Sequence, residues 1–167
     1  MQTTAIAPKS YSTIQKALHW LVFLLIVGQI LSGDSMGAAW RAFERSADAS
    51  GFSAPAVLFH VWAGLSVSLF AAWRLWLRHA NGVPALPTNE PPVLKFAAHA
   101  THVALYGLML FAPITGAAVY FGGVSALGDI HELAKPAFII LVLLHAGGAL
   151  YQHFILKTDV LKRMTHG

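Results

Sequence analysis

Four histidines set at recurring depths in long apolar runs are the residues of this chain best suited to chemistry. His131 and His145 lie 14 residues apart in the stretch HELAKPAFIILVLLHAGGALYQH, which His153 closes. In a helix, 14 steps of about 100° fall about 40° short of four turns, so the two rings share a face about 21 Å apart along the axis. That is the separation of two cofactors stacked across one bilayer, whose apolar core is about 30 Å thick. Apart from Lys135 and His145, the run from Ala134 to Tyr151 is apolar. An ionisable group inside a membrane is costly and points to function. His145, with several apolar turns before it, is the sharpest single residue in the chain. Imidazole is an axial ligand of haem iron, and paired imidazoles from facing helices can hold one haem.

The composition describes the elements that must position these rings. The chain has 167 residues, is 56% hydrophobic and 11% charged, and has a mean hydropathy of +0.60. A soluble domain carries about 25% charged residues, so a single membrane domain over residues 1–167 is expected, with lipid around it. There are no cysteines. Disulfides, iron–sulfur clusters, thiolate-bound haem and covalent c-type haem are excluded, and histidine-ligated haem is not. The basic residues flank apolar runs instead of forming one patch, which argues against nucleic acid. The first apolar run is expected to be a retained helix and not a cleaved signal peptide.

Hydropathy and breakers predict spans at about 17–32, 56–77, 96–121 and 133–155. Residues 33–54 are expected to form a polar loop. Pro55 suits the first turn of the second span. Gly82, Pro84, Pro87, Pro91 and Pro92 mark the segment 78–92 as a loop. Pro113 should kink the third span, and Gly122, Gly123 and Gly128 a tight turn. The fold class expected is all-α, an integral membrane four-helix bundle with both termini on one side. Lys9, Lys16, Arg74, Arg78, Lys95, Lys157, Lys162 and Arg163 fall on that side, against Arg41, Arg45 and Lys135 on the other. This asymmetry makes the termini cytoplasmic.

Depth then pairs the histidines. His60 and His131 stand at the outer ends of their spans, and His19 and His145 lie 13–14 residues further in. Two bis-histidine b-type haems follow, one outer and one inner. His102 and His153 read as deeper still, with His99 one turn from His102 on a similar face. This layer, with Gln152, is expected to bind a quinone, which needs hydrogen-bond donors and a proton source. Lys95 adds positive charge there. Arg74, 14 residues after His60, is placed to pair with propionates of the inner haem, and Lys135 with those of the outer one. The plainer readings are interfacial histidines for His79, His99 and His166, snorkelling for Arg74 and Lys135, and a belt for Trp20, Trp62, Trp73 and Trp76. Gly28, Gly64, Gly147 and Gly148 either admit the haem rings or pack helices.

With these residues in hand, the chain resembles the bacterial cytochrome b561 family. The resemblance rests on ALHWLVFLL around His19, FHVWAGLSV around His60 with Arg74 after it, HATHVALYGLMLFAPITG, and His131 with His145, and it covers nearly all of residues 11–156. It is similar more distantly to cytochrome b subunits of membrane hydrogenases and formate dehydrogenases. The resemblance implies a four-helical, di-haem, quinone-linked electron-transfer protein. One member type, superoxide oxidase, takes electrons from superoxide outside and reduces ubiquinone inside, and the small size of this chain resembles that type. The expected activity is superoxide:ubiquinone oxidoreductase. The alternative is a cytochrome b anchor or relay subunit that takes electrons from a periplasmic or membrane donor, a partner dehydrogenase or hydrogenase.

Overall fold

A computed structural model of the chain describes residues 8–87 and 90–166. Helix α1, Thr13–Ser46, starts in a capping box. The Ser12 hydroxyl accepts from the Gln15 amide at 3.3 Å, and the Gln15 side chain accepts from the Ser12 amide at 2.9 Å, which satisfies two of the orphan donors of a helix start. The buried Gln15 also donates to the carbonyls of Leu77 and Gly82, tying the start of α1 to the end of α2.

Helix α1 does not end near Ser32. It continues for 14 further residues to Ser46 and stops at Ala47, whose φ is 56°. The predicted loop 33–54 therefore shrinks to residues 47–54, which include a 3-10 turn at Ser50–Ser53. The extension holds because Ala39 packs under Gly51, while Trp40 and Phe43 both meet the ring of Phe52.

Helix α2 is Pro55–Asn81 and α3 is Pro92–Gly122, each with proline in its first turn. Pro113 lies inside α3, as expected. A 3-10 turn at Ser125–Leu127 leads to the short α4, Gly128–Glu132, and then to α5, Ala134–Phe154. The final span is thus broken at Leu133, and His131 sits on α4, not on the long helix. A last short helix, α6, Val160–Thr165, follows.

Four stretches are long and apolar enough to cross a membrane. Helices α1 to α3 pack each against the next, and α5 packs on α3 while touching α1 sparingly. The core is Val22 and Ile26 of α1, Val67 and Ala71 of α2, Leu105, Met109 and Ala112 of α3, and Phe138 of α5. Elsewhere large apolar side chains such as Leu31, Trp62 and Leu143 face outward. A surface this apolar is stable against lipid and not against water.

Candidate functional site

The core residues fall at mid-depth on all four spanning stretches and divide two histidine pairs. His60 of α2 and His131 of α4 face each other at one end, with ring centroids 6.1 Å apart and planes at 89°. His19 of α1 and His145 of α5 do so at the other, with centroids 5.9 Å apart and planes at 54°.

These separations bear on whether a metal could sit between the rings. A metal–imidazole bond is about 2 Å long and the ring centroid lies about 1 Å behind the nitrogen, so two imidazoles that held one iron between them would have centroids about 6 Å apart. Both pairs meet that distance.

The outer pair also has its protons in place. The Ser32 hydroxyl donates to the Gly28 carbonyl at 2.7 Å, so its oxygen is left to accept from Nδ1–H of His60 at 3.1 Å. Nδ1 of His131 donates to the Ala112 carbonyl at 2.9 Å. Each bond fixes the tautomer that leaves Nε2 free as a ligand, the usual arrangement behind a metal-bound histidine. His60 and His131 line a cavity of about 290 Å³, together with Gly64, Gly116, Asp34 and Lys135. A methyl group on Gly116 would lie 2.7 Å from Cε1 of His131, so α3 admits that ring only because position 116 is glycine.

At the inner pair, the guanidinium of Arg74 donates to Nδ1 of His19 at 3.0 Å and stands over the ring of Tyr106, 5.7 Å from its centroid. The expected neighbours Arg74 and His19 are thus brought together. His102 is level with His145, with centroids 5.0 Å apart, and is not a turn or two deeper. Helix α3 starts at Pro92, one turn before the expected start, so depth counted from the expected span end misplaces His102. A shallow recess between α2 and α3 is lined by Arg78, His99, His102 and Tyr106.

Of the residues expected to bind a quinone, His99 and His102 line that recess, and Gln152 and His153 lie near the end of α5. Gln152 is buried, and its amide donates to Glu90. Nδ1 of His153 is buried without a partner among the described residues, and its ring meets Phe154. Lys95 is half-buried near the start of α3. Lys135 pairs with Asp34 at 2.6 Å at the mouth of the outer cavity.

Gly28 lies close against α2, and Gly64 lies close against α1 while lining the outer cavity. A methyl group on Gly28 would strike Phe59, and one on Gly64 would crowd Gln29. Gly147 and Gly148 face open space. Ser32 and the cradling role of Gly116 escape sequence reasoning, because nothing local marks the ring each one meets.

A family model described as prokaryotic cytochrome b561 matches residues 10–167. The chain is 32% identical over 154 residues to cytochrome b562 of Cereibacter sphaeroides, covering 92% of this chain and 94% of that one. It is 27% identical to the probable superoxide oxidase CybB of Yersinia pestis, covering 93% and 96%. Against cytochrome b561 homolog 2 of Escherichia coli the identity is 26%, covering 94% and 92%.

Proposed function

We propose, for a chain that belongs to the prokaryotic cytochrome b561 family, that it takes electrons from superoxide at the outer side and delivers them to a quinone at the cytoplasmic side through two b-type haems. Membership makes it a haem-binding membrane electron-transfer protein, and the four apolar spans make it multi-pass in the bacterial inner membrane. The observation that carries the finer reading is the two histidine pairs, 6.1 Å and 5.9 Å between centroids, on either side of one apolar core.

Haem b, when bound, supplies a one-electron couple at each pair. His60 and His131 are the ligands of the outer group and His19 and His145 those of the inner one. Ser32 and the Ala112 carbonyl hold the outer rings in their ligating tautomer. The cluster of Val22, Ile26, Val67, Met109 and Phe138 keeps water from the space between the pairs. Arg74 brings a positive charge to the inner group, where a propionate is its natural partner.

At the outer cavity, Arg41 and Lys135 line the mouth with Asp34 and Glu132. Asp34 already neutralises Lys135, which leaves Arg41 to attract a small anion, against Glu132. The similarity to a probable superoxide oxidase supports superoxide as that anion. The reaction balances as two superoxide anions, one quinone and two protons giving two dioxygen molecules and one quinol.

Purified protein tests this. We expect about two haems per chain by pyridine haemochrome, reduction of both by superoxide in stopped flow, and reoxidation by ubiquinone. A ratio near one, or haems that superoxide leaves oxidised, sinks the corresponding half of the proposal.

A further inference from the structure

Of the seven aspartate and glutamate residues in the chain, Glu90 is the one that the fold buries, at 7% exposure; the other six are exposed. A buried carboxyl group is costly unless its oxygens are satisfied. Here only one of them is. Oε1 accepts from the side-chain amide of Gln152, and Oε2 is buried without a partner among the described residues.

A second contact lies behind that first bond. The Thr158 hydroxyl is 3.0 Å from Oε1 and 3.2 Å from the main-chain oxygen of Gln152, and the amide NH₂ of Gln152 is turned to Glu90. Oε1 of Glu90 is then an acceptor. A proton on this acid then sits on Oε2, a buried donor with no acceptor among the described residues.

The position gives this donor a use. Gln152 lies seven residues after His145 on α5. Seven steps of about 100° fall about 20° short of two turns, so Gln152 lies on nearly the same face as His145 and about 10 Å further along. Glu90 therefore stands beyond the inner pair, on the side where the chain termini and the basic residues lie, at the end of the face that carries the histidines.

We infer that Glu90 is the acid that protonates the quinone, with Gln152 and Thr158 as positioning residues. The inference rests on the quinone reading above. Quinone takes two electrons through the haems and two protons to become quinol. Each proton passes from Oε2 to a quinone oxygen, and the carboxylate left behind recovers a proton from cytoplasmic water before the next transfer. Proton transfer from a placed acid is worth about 10²–10⁴-fold in rate.

The test uses the full-length protein with haem bound, reduced in advance and mixed with decylubiquinone. Glu90→Gln keeps the contact with Gln152 but has no proton to give. We expect unchanged haem content and spectra, reoxidation slower by about 10²-fold, and partial recovery in Glu90→Asp. Redox-difference infrared spectra should show a carboxylic C=O change on quinone reduction in the wild type that Glu90→Gln abolishes. Wild-type reoxidation rates in Glu90→Gln, or the same infrared change in that variant, would overturn the inference and leave the quinone reading standing. If quinone fails to reoxidise even the wild type, the quinone reading falls and this inference with it. Should Glu90→Gln lose haem, the wild-type infrared spectrum decides, and no carboxylic change there overturns the role of Glu90.

Discussion

The guanidinium of Arg74 donates a hydrogen bond to Nδ1 of His19 at 3.0 Å. Arginine has no acceptor, so Nδ1 accepts and the ring proton sits on Nε2. A histidine that binds iron through Nε2 has the opposite tautomer. For His19 to serve as a ligand, Arg74 must release it, and a propionate of the inner haem offers a stronger, charged acceptor. Arg74 thus stands between the two states of the site.

Arg74→Gln removes the positive charge from the inner haem, which favours the ferric form. We expect the midpoint potential of that haem to fall by about 60 mV, the one-electron equivalent of about 1.4 kcal/mol, while the outer haem keeps its own. Potentiometric titration of the visible spectrum resolves the two. An equal fall at both haems, or at neither, would remove Arg74 from the inner site.

Ser32→Ala deletes the acceptor behind His60 and leaves the buried Nδ1–H without a partner. Partners behind a metal-bound histidine are worth 10- to 100-fold in affinity, roughly. Titrating haem into the apoprotein should show a loss of that size at the outer site alone, and Ser32→Thr, which restores a hydroxyl, should recover most of it. Full outer-site affinity in Ser32→Ala would mean that the hydroxyl does not hold the tautomer.

The four spans and the two histidine pairs were legible in the sequence, because hydropathy and a 14-residue spacing both report on the bilayer. The outer half of α1 was not. Asp34, Arg41, Glu44 and Arg45 make residues 33–46 look like a loop, yet charges do not break a helix once it leaves the lipid. Glu90 was hidden for a different reason. It lies in a proline-rich stretch, and the side chain that meets its carboxyl group, Gln152, is 62 residues away. The level of His102 is hidden because charged and proline-rich flanks mark the span ends, and so the depth of a residue, only approximately.

Two glycines on α3 make a matched test. Gly116→Ala would put a methyl group 2.7 Å from the His131 ring, while a methyl group on Gly107 would meet nothing within 4 Å. We expect Gly116→Ala to retain the inner haem and lose the outer one, giving about one haem per chain. Gly107→Ala should keep both and add about 1 kcal/mol of helix stability. Equal haem content in the two variants would show that α3 yields to make room, and that Gly116 is not needed by His131.

The last test concerns the inner iron, for which two histidines compete to face His145. His102 has the better tautomer, since its Nδ1 donates to the Ala98 carbonyl at 2.6 Å and leaves Nε2 free. His19 has the better distance, 5.9 Å between centroids against 5.0 Å for His102, where two imidazoles holding one iron between them would need about 6 Å. The two obstacles differ in kind. Freeing His19 takes the swing of one arginine side chain. Opening the His102 pair by about 1 Å means moving α3 from α5, across the packed contacts of Leu105, Met109 and Phe138, and close-packed interiors resist shifts of that size. His19 is therefore the expected ligand. His19→Ala and His145→Ala should each leave about one haem per chain, with the spectrum of the outer haem unchanged. His60→Ala and His131→Ala should leave the inner haem instead, and His102→Ala should keep both. Loss of the inner haem in His102→Ala together with its retention in His19→Ala would reverse the assignment and make α3 the source of the ligand.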